Sequence, residues 1–216
     1  MIKLYTYYRS TAAYRVRIAL NYKHIEHELL PVNLLDDKQF DAAYQTVNPQ
    51  MRVPTLVDND ETVIGQSMAI LEYLDEKYPK PALLPEKLTG RAQVRFVAQL
   101  IASDIHPLNN VGVLKYLKQT LHHDQKAVNE WYFHWLKKGF DALDVLLSKQ
   151  KGAFCFGDSL TLADICLIPQ IYNAFRFEFS MEAYPRLLEI YQHCLTLPFF
   201  DKARPENQPD NVNIPS

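Results

Sequence analysis

Hydrophobic and polar positions recur with two different periods along the chain. Near the start, Ile2, Leu4 and Thr6 alternate with Lys3 and two tyrosines, which is the period of a strand. Apolar residues then recur at helical spacing to about residue 23, and a second strand is predicted over residues 27–32. Because a strand, a helix and a strand in this order favour a right-handed crossover, we expect the two strands to be parallel.

The next apolar run, over residues 52–57, contains a proline that limits the choices. Proline has no N–H to donate to a neighbouring strand, so Pro54 lies on an edge strand or at the first residue of its strand. The alternative is a cis Val53–Pro54 bond, which would turn the backbone N–H and C=O of Val53 outward, toward an extended peptide-like ligand. A short helix or helical loop is predicted over residues 36–44, and residues 62–64 are the predicted hairpin partner.

Three prolines within residues 79–85 interrupt the pattern and predict a domain boundary. We expect an α/β domain over residues 1–80, a linker over residues 81–86 and an all-helical domain over residues 87–216. Beyond the linker, apolar residues recur at helical spacing almost throughout. The predicted helices lie within residues 91–121, 124–150, 161–174 and 185–195.

Caps and breaks limit these helices. Pro107 is expected to kink or break the first of them. Thr161 and Asp164 have the spacing of a capping box, which assigns Asp164 to folding rather than to catalysis. The tail from Arg204 contains three prolines and few apolar residues, so we expect it to be poorly ordered.

Composition narrows the class of protein. The 216 residues are 48% hydrophobic, which is ample for a core, and the net charge is −2. There is no basic run and no apolar run of membrane-spanning length, so we expect no nucleic-acid or membrane partner. The chain starts directly in a predicted strand, which favours a soluble cytoplasmic protein. The three cysteines are far apart and the seven histidines lack ligand spacing, so we expect buried, reduced thiols and no metal.

Missing motifs exclude several common classes of enzyme. The chain has only six glycines and contains none of the patterns GxGxxG, GxxxxGK[ST] and GxSxG. Either the protein borrows its reactive group or it catalyses very little.

The best candidate for chemistry is the junction between the first strand and the first helix. Ser10 and Thr11 stand there, and a hydroxyl at a helix start accepts a hydrogen bond from an unpaired amide. The same helix start favours negative charge, through its free N–H groups and the aligned peptide dipoles. Ser67 is predicted to cap a helix over residues 68–78 and to offer a second anion site. On capping alone, both serines would be ordinary structural residues.

The segment YRSTAAYRVRIAL, which contains Ser10, resembles the signature of zeta-class glutathione transferases. The segments VPTL, GQSMAILEYL, HPLNN, TLAD and NAFRF follow in the order that this family shows, so the resemblance covers nearly the whole chain. It implies a thioredoxin-like α/β domain followed by an all-α domain, glutathione as cofactor, and a homodimer. It also makes the cis form of Val53–Pro54 the expected one.

The resemblance implies glutathione contacts from both domains. Ser10 would donate its hydroxyl hydrogen to the sulfur, with Thr11 as the alternative donor. The other implied contacts are the backbone of Val53 and the side chains of Gln39, Gln66, Ser67, His106 and Asn110. His106 stands where several relatives have glutamine, and an ordinary histidine at a helix end is the alternative. Ala12 replaces a cysteine of the family pattern, which argues against an enzyme thiol there.

The resemblance also implies a small acidic substrate. Arg176 matches the arginine that faces this substrate, and a guanidinium pairs with a carboxylate through two parallel hydrogen bonds. Arg9 is a weaker candidate for the same role. The implied reaction is the glutathione-dependent cis–trans isomerisation of maleylacetoacetate to fumarylacetoacetate, in tyrosine and phenylalanine breakdown.

Three other functions fit the same resemblance. The protein could isomerise maleylpyruvate, act as a transferase on small α-halo acids, or serve as a non-catalytic binding module. The last ranks third, because such modules often lose residues equivalent to Ser10, Gln66 and Ser67, which are all present here.

Overall fold

A four-stranded mixed sheet forms the centre of the N-terminal part of the protein. The computed structural model describes residues 1–211. Its strands are β1 (Ile2–Thr6), β2 (His27–Pro31), β3 (Thr55–Val57) and β4 (Val63–Gly65), in the order β2-β1-β3-β4. β1 and β2 are parallel, whereas β3 runs antiparallel to both β1 and β4. The predicted parallel pair and the predicted hairpin are therefore confirmed.

The N-terminal part also contains three helices. They are α1 (Thr11–Tyr22), α2 (Ala42–Val47) and α3 (Ser67–Lys77), and a 3₁₀ turn over Lys38–Phe40 precedes α2. The turn and α2 correspond to the helical loop predicted over residues 36–44. Leu4 and Leu56 on the sheet are completely buried, as are Ile18 and Leu20 on α1. The core of this part therefore lies between the sheet and its helices.

The remaining helices are α4 (Leu88–Gln99), α5 (Val111–Gln119), α6 (Gln125–Leu147), α7 (Leu162–Arg176), α8 (Pro185–Leu195) and α9 (Pro198–Ala203). The thioredoxin-like plus all-helical architecture expected from the sequence is confirmed. In residues 1–211, no helix has both the length and the apolar composition needed to cross a membrane.

The long helix predicted from residue 91 breaks at Pro107, as expected. α4 passes into a π-helical segment, Leu100–Ile105, and a 3₁₀ turn over Pro107–Asn109 follows. α6 packs tightly on the π-helical segment at Gly139, where an added Cβ would lie 2.2 Å from the Cδ1 atom of Ile105. A side chain at residue 139 would therefore have to displace the side chain of Ile105, which precedes His106.

α7 is buried along most of its length and begins with the predicted capping box. Both the backbone N–H and the hydroxyl of Thr161 donate to Asp164 Oδ2, each at 2.8 Å, and the N–H of Cys155 donates to Oδ1 at 2.7 Å. Asp164 is completely buried, so its carboxylate serves to join the helix start to the preceding loop. The three cysteines are free and buried, as predicted.

Contacts divide the chain into two compact units. The first contains Met1–Ala82 together with residues 195–211, and the second is Leu83–Cys194. The domain limits at residues 80 and 86 stay a prediction, but the last part of the chain packs with the first unit. The reason is apolar contact, because Phe200 on α9 is completely buried and the Phe199 ring lies 5.0 Å from that of Tyr22.

The prediction of a poorly ordered tail from Arg204 is wrong for residues 204–211. A 3₁₀ turn forms over Pro205–Asn207, and Gln208 is 2% exposed. The side-chain amide of Gln208 donates to the carbonyls of Lys202 and Arg204, at 2.9 and 2.8 Å. Polar anchoring therefore replaces the apolar contacts that this tail lacks. Residues 212–216, which the same prediction covered, lie outside the described residues.

A buried carboxylate joins the β3–β4 hairpin to α3. The side chain of Asp58 is completely buried and accepts hydrogen bonds from Lys77 Nζ and Tyr73 Oη. Burial alone would raise the pKa of Asp58, but the hydrogen bonds from Lys77 and Tyr73 outweigh it and hold this pKa below its ordinary value.

The protein should lose stability in acid partly through this carboxylate. Because the pKa of Asp58 is lower in the folded than in the unfolded chain, its stabilisation is complete above about pH 5 and is lost as the pH falls through the folded-state pKa. Asp58→Asn should lower the unfolding free energy by about 1–3 kcal/mol at neutral pH. It should also make the unfolding free energy depend less on pH in the acid range. Urea unfolding at several pH values measures both effects. Glu28→Gln, on the exposed face of β2, is the control, and an unchanged acid limb in Asp58→Asn would contradict the assignment.

Candidate active site

Strand pairing brings three candidate segments of the first unit to one edge of the sheet. Tyr5 on β1 pairs with Thr55 on β3, and Thr55 also pairs with Gly65 on β4. The residues that follow Tyr5, precede Thr55 and follow Gly65 therefore leave the sheet side by side. They include the turn to Ser10, the Val53–Pro54 pair, and the start of α3 at Gln66 and Ser67.

Ser10 is the N-cap of α1. Its backbone is extended, its N–H donates to the carbonyl of Tyr7 at 2.9 Å, and its Oγ accepts from the N–H of Ala13 at 3.2 Å. A hydroxyl that accepts in this way keeps its own hydrogen for another acceptor. Capping and donation to a ligand are therefore compatible at Ser10. Thr11, the alternative donor, is the first residue of α1 and is buried.

Arg17 holds the turn that leads to Ser10. Its guanidinium is buried, and four of its hydrogen bonds join β1, the turn and α9. Their acceptors are Thr6 Oγ1 at 3.0 Å and the carbonyls of Tyr7 at 3.3 Å, Tyr8 at 3.0 Å and Ala203 at 3.1 Å. From the C-terminal segment, Asp210 Oδ2 accepts the N–H of Tyr8 at 2.9 Å. The peptide groups on both sides of Tyr8 are thus fixed just before Arg9 and Ser10.

Sequence reasoning missed the burial of Arg15 and Arg17. Each is only 1% exposed. The apolar residues of α1 in fact occur all round the helix, which is typical of a helix that is covered on every side. That distribution was the available signal.

The start of α3 differs from the prediction. Ser67 is the first helical residue, and Gln66 occupies the N-cap position. Gln66 has a positive φ of 67° and connects the end of β4 to α3. The hydroxyl of Ser67 accepts a hydrogen bond from Arg15 Nη1 at 3.3 Å instead of capping the helix. A buried guanidinium therefore lies beside the first turn of α3, where both the charge and the free N–H groups favour an anion. The side chain of Gln66 donates to Gln50 Oε1 at 2.9 Å.

The Val53–Pro54 bond is cis, which confirms the second of the two alternatives. Paired residues of β3 begin at Thr55, so Val53 lies just ahead of the sheet. Hydrogen bonds fix the residue before Val53, because Tyr44 Oη and Asn48 Nδ2 donate to the carbonyl of Arg52 at 2.6 and 2.9 Å. Burial raises the pKa of Tyr44, so its hydroxyl stays protonated and keeps this bond.

Gln39 lies in the 3₁₀ turn before α2 and is 9% exposed. Its Nε2 donates to Asp37 Oδ1 at 3.2 Å, whereas its Oε1 is buried without a hydrogen-bond partner in the described part of the chain. A buried acceptor of this kind suits an N–H donor of a ligand.

Arg9 lies over the Tyr8 ring, with its guanidinium carbon 5.0 Å from the ring centre.

The second unit carries the other predicted residues. His106 follows the π-helical segment and is half-buried, and its N–H donates to the carbonyl of Ile101 at 2.9 Å. Asn110 is the N-cap of α5, where its Oδ1 accepts from Gly112 and Val113 at 2.9 and 3.2 Å. Arg176 is the last residue of α7, is exposed, and donates from Nη1 to Asn173 Oδ1 at 3.1 Å. Over residues 1–211, no group of three His, Cys, Asp or Glu side chains is placed to hold a metal ion.

Comparison with known proteins identifies the class. Residues 4–82 match the family model for the glutathione S-transferase N-terminal domain, and residues 129–193 match that for the C-terminal domain. The probable maleylacetoacetate isomerase of Vibrio cholerae is 47% identical over 209 residues, which span 96% of this chain and 97% of that one. The maleylpyruvate isomerase of a Ralstonia species is 42% identical, over 98% of this chain and all of that one.

Solved structures agree with these matches. A holo maleylpyruvate isomerase of the zeta class superposes with a TM-score of 0.93 at 42% identity, covering 96% of this chain and 99% of that one. Maleylacetoacetate isomerase from Anaeromyxobacter dehalogenans, solved with bound glutathione, gives 0.88 at 41% identity over 97% of each chain. The fold and the matches together define a glutathione transferase. Within that family, the chain belongs to the zeta class.

The role of Arg17 can be tested separately from the chemistry. Arg17→Met would remove a donor from three buried carbonyls, of which that of Tyr7 keeps the N–H of Ser10. We therefore expect a loss of about 3 kcal/mol of unfolding free energy and weaker glutathione binding. Urea unfolding and calorimetric titration with glutathione measure the two effects. The matched control is Arg186→Met, which removes donors to the carbonyls of Gly152 and Phe154 in the second unit and should lower stability alone. Wild-type glutathione affinity in Arg17→Met would refute the positioning role.

Proposed function

We propose that this protein is a glutathione-dependent isomerase that converts maleylacetoacetate to fumarylacetoacetate. The observation that carries the proposal is the geometry of Ser10, whose hydroxyl caps α1 and keeps a hydrogen to donate at a helix start that favours negative charge. The names of the full-length relatives support the same reaction.

Glutathione fits the edge of the first unit. Its γ-glutamyl end would meet the first turn of α3, where Gln66 and Ser67 stand beside Arg15. The backbone of Val53, ahead of β3, would pair with the peptide part of the molecule, and the buried Oε1 of Gln39 would accept from the glycine end. In this proposal His106 and Asn110 add contacts from the helical unit, and the Nδ2 group of Asn110 remains for that purpose because its Oδ1 is a helix cap.

The first task of the protein is to stabilise a thiolate. An ordinary thiol has a pKa of about 8.5, so at neutral pH most of it is protonated. Ser10 donates a hydrogen bond to the sulfur, and the N–H groups of the first turn of α1 add a positive field. Thr11 is the alternative donor. Glutathione itself supplies the nucleophile, which adds to the double bond of the maleyl acid, lets the resulting single bond rotate, and leaves unchanged.

The second task is to hold an acidic substrate. Arg176 is an exposed guanidinium at the end of α7 and can bind a carboxylate with two parallel hydrogen bonds. Arg9 is the other candidate, with its guanidinium over the Tyr8 ring. Fixed positive groups also stabilise the negative charge that develops on the substrate as the thiolate adds.

A second candidate reaction is the isomerisation of maleylpyruvate. It is favoured by the full-length relative from Ralstonia that bears this name, and it would use the same Ser10 and Arg176. A transferase acting on small α-halo acids would use them as well.

The proposal includes a place in tyrosine and phenylalanine breakdown, in the cytoplasm. It also includes a homodimer, for which Leu88 and Phe96 of α4, 83% and 56% exposed, offer an apolar surface.

The purified protein should convert maleylacetoacetate, or its decarboxylated analogue, to the trans product only when glutathione is present. Ser10→Ala should lower kcat/KM by about 10²–10³-fold, because it removes a donor to a developing charge. The ultraviolet absorbance of the substrate follows the reaction, and parallel assays with maleylpyruvate rank the two acids.

Two further variants separate the possible causes of a loss. Thr11→Val removes the alternative hydroxyl with little change of shape. Asp124→Ala removes the N-cap of α6, where Asp124 Oδ1 accepts from Ala127 at 2.8 Å, and should cost a cap without changing activity. Full conversion by both Ser10→Ala and Thr11→Val would refute the hydroxyl mechanism. No conversion of either acid, with glutathione still bound, would refute the isomerase.

A further inference from the structure

A buried hydrogen-bond chain runs from Arg176 into the helical unit. Arg176 Nη1 donates to Asn173 Oδ1 at 3.1 Å, and Asn173 Nδ2 donates to Tyr132 Oη at 3.0 Å. Tyr132 Oη in turn donates to the backbone carbonyl of Asn173 at 3.3 Å. Asn173 therefore stands between an exposed guanidinium on α7 and a buried phenol on α6.

The donors and acceptors of this chain permit one orientation of the Asn173 amide. The carbonyl of Asn173 can only accept, so it takes the single hydrogen of the Tyr132 hydroxyl. The phenol oxygen is then an acceptor and selects the NH₂ end of the amide. The other end, Oδ1, faces Arg176, and a guanidinium has only donors. Without the Tyr132 hydroxyl, the amide would be held from one side only, by the guanidinium, and could move with it.

Packing fixes the phenol of Tyr132, at the buried end of this series of hydrogen bonds. Tyr132 is completely buried, and its ring stacks on that of Phe177 with 4.0 Å between centres and 18° between planes. Asn109 Nδ2 donates to the backbone carbonyl of Tyr132 at 3.2 Å. Burial raises the pKa of Tyr132 far more than the charge of Arg176 lowers it, so the hydroxyl stays protonated and keeps its hydrogen.

We propose that Asn173 and Tyr132 are positioning residues that hold the guanidinium of Arg176 in the orientation that binds the carboxylate of the acidic substrate. The inference rests on the proposed role of Arg176. An exposed arginine samples many rotamers, and a tether on one Nη1 hydrogen reduces that freedom while leaving donors for a two-point contact with a carboxylate. The benefit therefore lies in the binding of the acid and not in the activation of the thiol.

Tyr132→Phe is the direct test, because it removes the hydroxyl and keeps the ring on Phe177. We expect KM for the maleyl acid to rise about tenfold, with kcat within about twofold and glutathione affinity unchanged. Calorimetric titration with fumarate, in the presence of glutathione, should show the same loss without relying on turnover. Tyr184→Phe is the matched control, since it removes a hydroxyl that donates to Asp141 in the same unit at 2.8 Å, and it should change neither value.

A double-mutant cycle distinguishes positioning from a general structural effect. In the Arg176→Ala background, Tyr132→Phe should weaken fumarate binding no further, because the group that it orients is gone. Losses that simply add, or a Tyr132→Phe variant that binds fumarate like the wild type, would overturn the inference. If Tyr132→Phe does not fold, Asn173→Asp replaces it. Its carboxylate would pair with Arg176 and compete with the substrate, so undiminished fumarate affinity in that variant would also overturn the inference.

The same experiments separate this inference from the proposed function. Absence of isomerisation with both maleyl acids would refute the reaction, whereas the fumarate titrations would still report on the tether. Wild-type fumarate affinity in Arg176→Ala would refute the binding role of Arg176 and the positioning roles together.

Discussion

The buried guanidinium of Arg17 is the constraint on which the first unit depends. It binds the end of β1, two carbonyls of the following turn and a carbonyl at the end of α9. Buried carbonyls without a donor are costly, so the turn, the strand and the C-terminal segment are stable only as a set. Ser10 stands at the end of that turn, and its position at the start of α1 follows from this arrangement. The last part of the chain is therefore a support of the candidate site, although it is distant from Ser10 in sequence.

The candidate site uses fixed peptide groups and buried polar side chains in preference to reactive ones. The strand register sets the Ser10 turn, Val53 and the start of α3 side by side, and Arg15, Tyr44 and Asn48 hold these segments from behind. Helix starts and backbone groups of this kind suit a charged, peptide-like cofactor. The chain then needs few groups of its own for the chemistry. In the proposed mechanism, a hydroxyl beside the sulfur and an arginine for the acid are sufficient.

The order of the elements was predictable from the sequence, because the periods of β1 and α1 and the break at Pro107 are local properties. Features that depend on distant contacts were not. Gln66 rather than Ser67 caps α3, because the turn from β4 requires a positive φ at Gln66. The apolar residues all round α1 indicate that this helix is covered, but the segments that cover Arg15 and Arg17 are distant in the sequence. The packing of α9 on the first unit depends on Phe199 and Phe200, whose partners are distant in the sequence. For the candidate site, the residues came from the family resemblance, whereas the tether of Arg176 by Asn173 and Tyr132 required the structure.

The most direct test of the proposed role of Ser10 is the pKa of the glutathione thiol when it is bound to this protein. The ultraviolet absorbance of the thiolate, titrated with pH in the wild type and in Ser10→Ala, gives both values. If Ser10 and the start of α1 stabilise the thiolate, the bound pKa should lie roughly one unit or more below the value of about 8.5 for an ordinary thiol and should return toward that value in Ser10→Ala. A bound thiol in the wild type that titrates like the free one would show that the start of α1 does not stabilise a thiolate.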